Sequence, residues 1–217
     1  MKLPLVYPIT DTTISGLSHA DQVAILAGAG AKFVQLREKN LSALDFYNQA
    51  KAAAAVARDA GVTLIINDRV DVALALGTVT GLHRKGVHLG QDDLPPGAAR
   101  KLLGKEAIVG YSTHNVFQAS AAANHSVDYI AIGPIFETGT KANPDPVVGL
   151  DGLRTVRYAI GNIPLVAIGG ITPENAPAVI EAGADSVALI SALLSGAKDE
   201  LSVRYRTLTN TLAQRQT

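Results

Sequence analysis

A chain of 217 residues, 47% of them apolar and with no formal net charge, can bury one large core and lacks the basic excess of a nucleic-acid binder. It contains no cysteine, which excludes disulfides, thiolate metal sites and cysteine nucleophiles. No apolar run approaches the ~18 residues of a membrane span, and no long apolar segment follows basic residues at the start, so a soluble, cytoplasmic protein with no membrane partner is expected.

Eight short, nearly all-apolar runs recur along the chain: Leu5–Ile9, Phe33–Leu36, Val62–Ile66, Gly86–Leu89, Ala107–Gly110, Val127–Ile132, Pro164–Ile168 and Ser186–Ile190. Such runs suit parallel strands covered on both faces. Between them lie helix candidates at Ala20–Ala29, Ala43–Ala60, Val70–Leu76, Pro96–Leu103, Val116–Asn124, Asp151–Ile160, Pro173–Ala182 and Ala192–Gln214. Ser42, Asn115 and Thr172 stand where N-caps belong, Pro173 fits a first helical turn, and glycines follow several helices. Eight βα units without a long linker predict an α/β fold, a (β/α)8 TIM barrel, in one catalytic domain over residues 1–217. An open doubly wound sheet is the competing architecture.

In such a barrel, chemistry sits at the C-terminal ends of the strands. In chain order those ends offer Thr10 and Asp11; Gln35, Arg37 and Lys39; Asn67 and Asp68; Asp92 and Asp93; Ser112, Thr113 and His114; Thr138, Thr140 and Lys141; Gly169 and Gly170; and Ser191. Gln35, Arg37 and Lys39 share one face if extended, so a guanidinium fork and an ammonium could grip a phosphate; a solvated charged loop is an even alternative. Asp68 and Asp93 end adjacent strands, which suits Mg2+, a cation held by one or two carboxylates plus substrate phosphates and waters; a helix cap and a surface turn explain them as well. The Gly169-Gly170 pair is either a phosphate-binding turn, completed by Ser191, or a tight turn that needs only glycine. His88 is expected as a hydrogen-bonded histidine of the barrel interior and His114 as a support for the loop carrying Ser112. His19, His83 and His125 look peripheral, and no spacing suggests zinc.

The chain resembles the thiamine phosphate synthase family. The resemblance rests on Tyr7–Asp11, Gln35–Lys39, Ile66–Arg69, Gly86–Asp93, Gly110–His114, Gly133–Phe136 with Thr138–Lys141, Ala167–Ile171, and Gly183–Ser186 through Ile190-Ser191, in order along almost the whole chain. It implies a transferase that joins a pyrimidine diphosphate to a thiazole phosphate and releases pyrophosphate. It assigns Gln35, Arg37, Lys39, Asn67, Ser112, Thr138, Thr140 and Lys141 to the pyrimidine diphosphate, with Arg37, Lys39, Ser112 and Lys141 catalytic. It assigns Thr138, Thr140, Gly170, Ile190 and Ser191 to the thiazole phosphate, and Asp68 and Asp93 to Mg2+. The partners expected are these small molecules alone, with a homo-oligomer left open.

The chain departs from the family pattern at Thr78–Lys85, read as an insertion, and at Glu137, where proline is common. A TenI-type thiazole tautomerase is the nearest rival, but that resemblance would want a histidine where Pro134 stands. A noncatalytic phosphate-binding barrel would not need the Asp68/Asp93 pair. A sugar-phosphate isomerase would want an acid and base pair that is not evident here.

Overall fold

Strands that are apolar on both faces need cover on both faces, and a closed barrel inside a ring of helices supplies it. The computed structural model describes residues 1–79, 86–139 and 145–214. The strands are β1 (Val6–Thr10), β2 (Phe33–Leu36), β3 (Thr63–Asn67), β4 (Gly86–Leu89), β5 (Ile108–Thr113), β6 (Tyr129–Ile132), β7 (Leu165–Ile168) and β8 (Ser186–Leu189). Each pairs in parallel with the next, and β1 pairs with β8, closing the expected barrel. The helices are α1 (Thr12–Ser15), α2 (His19–Gly28), α3 (Ala43–Asp59), α4 (Val70–Val79), α5 (Pro96–Leu103), α6 (Val116–Ala122), α7 (Gly149–Ile160), α8 (Ala176–Glu181), α9 (Ser191–Leu194) and α10 (Leu201–Ala213). Among the described residues, no helix is long and apolar enough to cross a membrane.

Three sequence expectations are corrected at element ends. The strand expected to stop at Gly110 runs on to Thr113, which makes Ser112 a strand residue. The single long helix expected over Ala192–Gln214 is broken into α9, a 3-10 turn at Lys198–Glu200 and α10, because Gly196 takes a φ of 101°. Thr172 does not cap a helix starting at Pro173. Its N–H donates to Asn175 Oδ1 (2.8 Å), and α8 starts at Ala176 with Pro177 in its first turn. Ser42 and Asn115 do cap α3 and α6 through their side-chain oxygens. Thr140, Lys141, His83 and most of the Thr78–Lys85 insertion lie outside the described residues.

Alternation along each strand builds two cores. Residues such as Val34, Leu36, Leu64, Ile66, Ile130 and Ile132 face outward and pack on the helices. Tyr7, Ile9, Phe33, Ile65, Ile108, Tyr129, Val166 and Ala188 face inward and fill the barrel. Tyr7 meets Phe33 edge-on at 4.8 Å between centroids, and Tyr129 lies 5.9 Å from Tyr7. Above these aromatics the inward positions turn polar, with Gln35, Asn67 and His88 all buried. This change of character marks the mouth.

Gly110 makes the room for Tyr129. A Cβ at position 110 would sit 2.0 Å from the Tyr129 ring. Gly110→Ala is therefore expected to destabilise the protein by about 1–3 kcal/mol, the usual penalty of an overpacked core. Chemical denaturation should register it, and an unchanged midpoint would contradict the packing described.

At the opposite end of the barrel, two arginines tie strands together in the same way. Arg100 binds the carbonyl of Ala107 and the Asp128 carboxylate (2.6 Å), which accepts from Val109 N–H (2.7 Å). Arg157 binds the carbonyl of Ile163 (3.0 Å) and Asp185 (2.8 Å), which accepts from Leu165 N–H (2.8 Å). Satisfied strand starts at one end leave the other end free to carry function.

Candidate active site at the barrel mouth

The first two strands deliver a cation held by a carboxylate. Asp11 follows β1 and uses one oxygen to cap α1, accepting from Thr13 N–H (3.0 Å) and Ile14 N–H (3.1 Å). Its other oxygen accepts from the Arg37 guanidinium at 2.6 Å. Arg37 N–H continues the ladder to Thr10 O (3.3 Å), which keeps the segment after β2 extended. The expected alternation follows. Gln35 points into the barrel, and Glu38 turns the other way toward Thr12 Oγ1, which donates to it at 3.0 Å.

His19 is not peripheral, contrary to the sequence expectation. It is fully buried on α2, with Nδ1 2.7 Å from Thr10 Oγ1 and Nε2 3.7 Å from Glu38. Burial holds its imidazole below the usual histidine range. Burial also opposes charge on Glu38, but the Asn40 and Lys39 amides and the Thr12 hydroxyl outweigh it and keep that carboxyl below its ordinary range. The floor of the Arg37–Lys39 segment is thus pinned from beneath.

Lys39 meets β3. Its ammonium lies 2.5 Å from Asp68 Oδ2. Asp68 has a φ of 63°, the one positive value outside glycine among the described residues. Left-handed backbone is several-fold enriched in Asp and Asn. Asp93, beyond β4, accepts from Gly90 N–H at 2.7 Å. Burial raises the Asp93 carboxyl above its ordinary range, and the neighbouring Asp68 pushes the same way against the pull of Gly90 N–H and Lys39. Two carboxylates close enough to perturb each other, with an ammonium on one, form a single acidic and cationic cluster. Among the described residues no set of three or more His, Cys, Asp or Glu side chains could hold a metal ion. Mg2+ needs no such set, because phosphate and water oxygens complete its shell, and an all-oxygen pair such as Asp68 and Asp93 fits it.

On β4 and β5, His88 occupies the interior as expected. Its Nδ1 lies 2.9 Å from Tyr129 OH and its Nε2 2.8 Å from Ser112 Oγ. Burial pushes the His88 imidazole down to about 4, with Asp93 pulling partly back. The ring therefore folds neutral. An unfolded histidine takes up a proton below about 6.5, whereas the folded ring resists until about 4, so stability present at neutral pH is lost as pH falls through this window. The loss reaches about 3 kcal/mol. Denaturation of the wild type and His88→Gln at pH 7 and pH 4 should show the gap between them narrowing in acid, and a constant gap would contradict a buried neutral ring.

His114 does not support Ser112 directly. Its Nδ1 lies 2.7 Å from Gly133 O and 3.4 Å from Asp145, which ties β5 to the loop after β6. That loop carries Thr138. A cavity of about 340 Å³ is lined by Pro134, Glu137, Thr138, Asp145 and Val147, with Glu137 exposed.

Gly169 and Gly170 form a tight turn, with φ of 98° and 64°. A Cβ on Gly170 would fall 2.4 Å from Glu137 O, so the loop after β6 itself requires glycine there. Asn175 Nδ2 donates to Gly170 O at 3.0 Å. Ile190 and exposed Ser191 lie where β8 passes into α9, and α9 packs against α1 beside Asp11.

Contacts thus join Arg37 to Asp11, Lys39 to Asp68, and Ser112 to His88, with Asp93 close enough to Asp68 and Lys39 to feel their charge. Gly170, Ile190 and Ser191 occupy a separate arc of the rim. Sequence reasoning placed Asp11 at the rim without giving it a role, and it passed over Tyr7 and Tyr129 as site components. A buried tyrosine hydroxyl needs a partner, and Tyr7 and Tyr129 both fall on inward positions, which was the available signal.

A closed parallel barrel with acidic and cationic groups gathered at the C-terminal mouth defines the class of (β/α)8-barrel enzymes. The family is narrower. Residues 6–193 match the family model described as thiamine monophosphate synthase. The thiamine-phosphate synthase of Koribacter versatilis (strain Ellin345) is 48% identical over 201 residues, covering 89% of this chain and 90% of that protein. That of Clostridium novyi (strain NT) is 43% identical over 206 residues, covering 94% and 97%. A solved thiamine phosphate pyrophosphorylase from Pyrococcus furiosus superposes with a TM-score of 0.83 at 30% identity, covering 96% of this chain and 95% of that one. Phosphoribosyl anthranilate isomerase from Thermus thermophilus, at 15% identity and a TM-score of 0.64, shares the fold alone. The chain belongs to the thiamine monophosphate synthase family.

Proposed function

We propose that this protein is a thiamine-phosphate synthase, a transferase that couples 4-amino-2-methyl-5-pyrimidinylmethyl diphosphate to a thiazole phosphate and releases thiamine monophosphate and pyrophosphate. Family membership over residues 6–193 supports the reaction. The observation that carries the site assignment is the Lys39–Asp68–Asp93 cluster at the barrel mouth.

In this reading Asp68 and Asp93 would hold Mg2+, which when bound would neutralise negative charge on the diphosphate. Arg37, Lys39 and Lys141 are assigned to grip the diphosphate oxygens, and the family resemblance gives Thr138 and Thr140 to the same ligand. Gln35 and Asn67, buried at the top of the barrel, orient the pyrimidine, and Ser112 stands by the leaving group. Gly170, Ile190 and Ser191 cradle the thiazole phosphate through backbone N–H groups.

The chemistry is a dissociative substitution. The C–O bond between the pyrimidine methylene and the diphosphate breaks, and the electron pair leaves with pyrophosphate. The electron-rich aminopyrimidine stabilises the cation that remains, and the thiazole nitrogen lone pair closes the new C–N bond. The protein stabilises charge as it builds on the leaving group and holds the thiazole close enough for capture to outrun water. No side chain need be a strong base or a nucleophile. Expression in a bacterium unable to make thiamine monophosphate should restore growth without added thiamine. Failure to do so with the protein soluble and abundant would overturn the reading.

A further inference from the structure

A continuous line of hydrogen bonds crosses the barrel interior. Gln35 Nε2 donates to Tyr7 OH at 2.8 Å. Tyr7 OH lies 2.9 Å from Tyr129 OH, Tyr129 OH 2.9 Å from His88 Nδ1, and His88 Nε2 2.8 Å from Ser112 Oγ. Residues from β2, β1, β6, β4 and β5 take part, and all but Ser112 are buried. Both ends, Gln35 and Ser112, emerge at the mouth described above.

The line has a direction. An amide nitrogen only donates, and a hydroxyl has one hydrogen to give. Tyr7 accepts from Gln35 at its oxygen, and Tyr129 OH is the one other partner of that hydroxyl among the described residues, so matching every buried hydrogen to an acceptor turns the Tyr7 hydrogen to Tyr129. Tyr129 in turn gives its hydrogen to His88 Nδ1. A neutral imidazole that accepts at Nδ1 carries its proton on Nε2, and that proton goes to Ser112 Oγ. Ser112 already accepts, so its own hydrogen is left to point out of the network. Burial keeps both tyrosines from ionising, by raising their hydroxyls well above the ordinary range.

The geometry points to Ser112 as a hydrogen-bond donor of fixed polarity toward an oxygen of the departing diphosphate, with Gln35, Tyr7, Tyr129 and His88 as the residues that set that polarity. His88, Tyr7 and Tyr129 are positioning residues that act through Ser112. The inference rests on the placement of Ser112 beside the leaving group proposed above. A serine so oriented selects an acceptor and disfavours the exocyclic amino group of the pyrimidine. Its bond strengthens as charge develops on the oxygen, and bonds in series polarise one another in the same sense.

The direct test is long-range 1H–15N correlation spectroscopy of the intact protein labelled at histidine, with the His88 signals assigned by their loss in His88→Gln. The proton is expected on Nε2. A proton on Nδ1 means the line runs the other way and overturns the inference, whatever the activity. Kinetics supply the second arm. His88→Phe fills the space without a donor and should lower kcat about tenfold, the scale of one well-aligned hydrogen bond to a charged group, with KM for the thiazole phosphate unchanged. Ser112→Ala should lose a similar factor, and the double variant little more. His88→Gln, which can accept and donate in series, should recover part of the loss. Independent, multiplicative losses in the double variant would overturn the inference. An unchanged kcat in Ser112→Ala would overturn the placement of Ser112 itself, and the inference with it, while the spectrum still reports the polarity.

Discussion

Asp68→Asn is expected to lower kcat on the order of a hundredfold and to raise the Mg2+ concentration needed for half-maximal rate, with little change in stability. Asparagine is the informative replacement because Asp68 has a φ of 63°, a conformation that asparagine also tolerates and alanine does not. The backbone is preserved, and what is lost is the negative charge. That charge sits 2.5 Å from the Lys39 ammonium and beside Asp93. Its removal takes one of the two proposed metal ligands and also frees Lys39 to swing. Asp93→Asn removes the other ligand and should act in the same direction. Rate measured against Mg2+ concentration separates the two effects, since a metal role shifts the midpoint and a purely cationic role lowers only the plateau. A midpoint unchanged in Asp68→Asn would refute the ligand assignment.

Arg37→Ala is expected to lower kcat/KM for the pyrimidine diphosphate on the order of a hundredfold to a thousandfold. Two losses combine. The guanidinium proposed to meet the diphosphate is gone, and Asp11, only 12% exposed in its side chain, is left with an uncompensated charge. Adding Asp11→Asn should therefore restore several-fold of the lost rate, because it removes the repulsion while asparagine can still cap α1 through its side-chain oxygen. Neither change should alter KM for the thiazole phosphate. A double variant slower than Arg37→Ala alone would contradict the proposed geometry.

The barrel was legible because its signal is repeated. Eight apolar runs separated by helical stretches admit few architectures, and errors of a few residues at the ends do not alter the count. The errors have local causes. Gly196 broke a helix whose periodicity read as continuous, and Asn175 took over the turn where Thr172 looked like a cap.

The polar rim was legible because period-two spacing placed Gln35, Arg37 and Lys39 on one face. What spacing could not supply was partnership across strands. Nothing local tells that Lys39 reaches Asp68 just past the next strand, or that Asp11 holds Arg37. His19 was misjudged for the same reason. It lies at the start of a helix in sequence, and only the fold lays that turn against Thr10 and the segment carrying Glu38. The line from Gln35 to Ser112 joins residues as far as 122 positions apart, and it becomes visible only when the barrel closes.

The most direct measurement incubates the purified protein with the pyrimidine diphosphate and the thiazole phosphate, in Mg2+ and after its removal by chelation, and follows pyrophosphate and thiamine monophosphate together. The two products should appear in equal amounts with Mg2+, and the rate should collapse without it and return on readdition. Coupling that proceeds undiminished after chelation would contradict a divalent ion acting with Arg37 and Lys39 on the leaving group, and absence of both products would contradict the reaction.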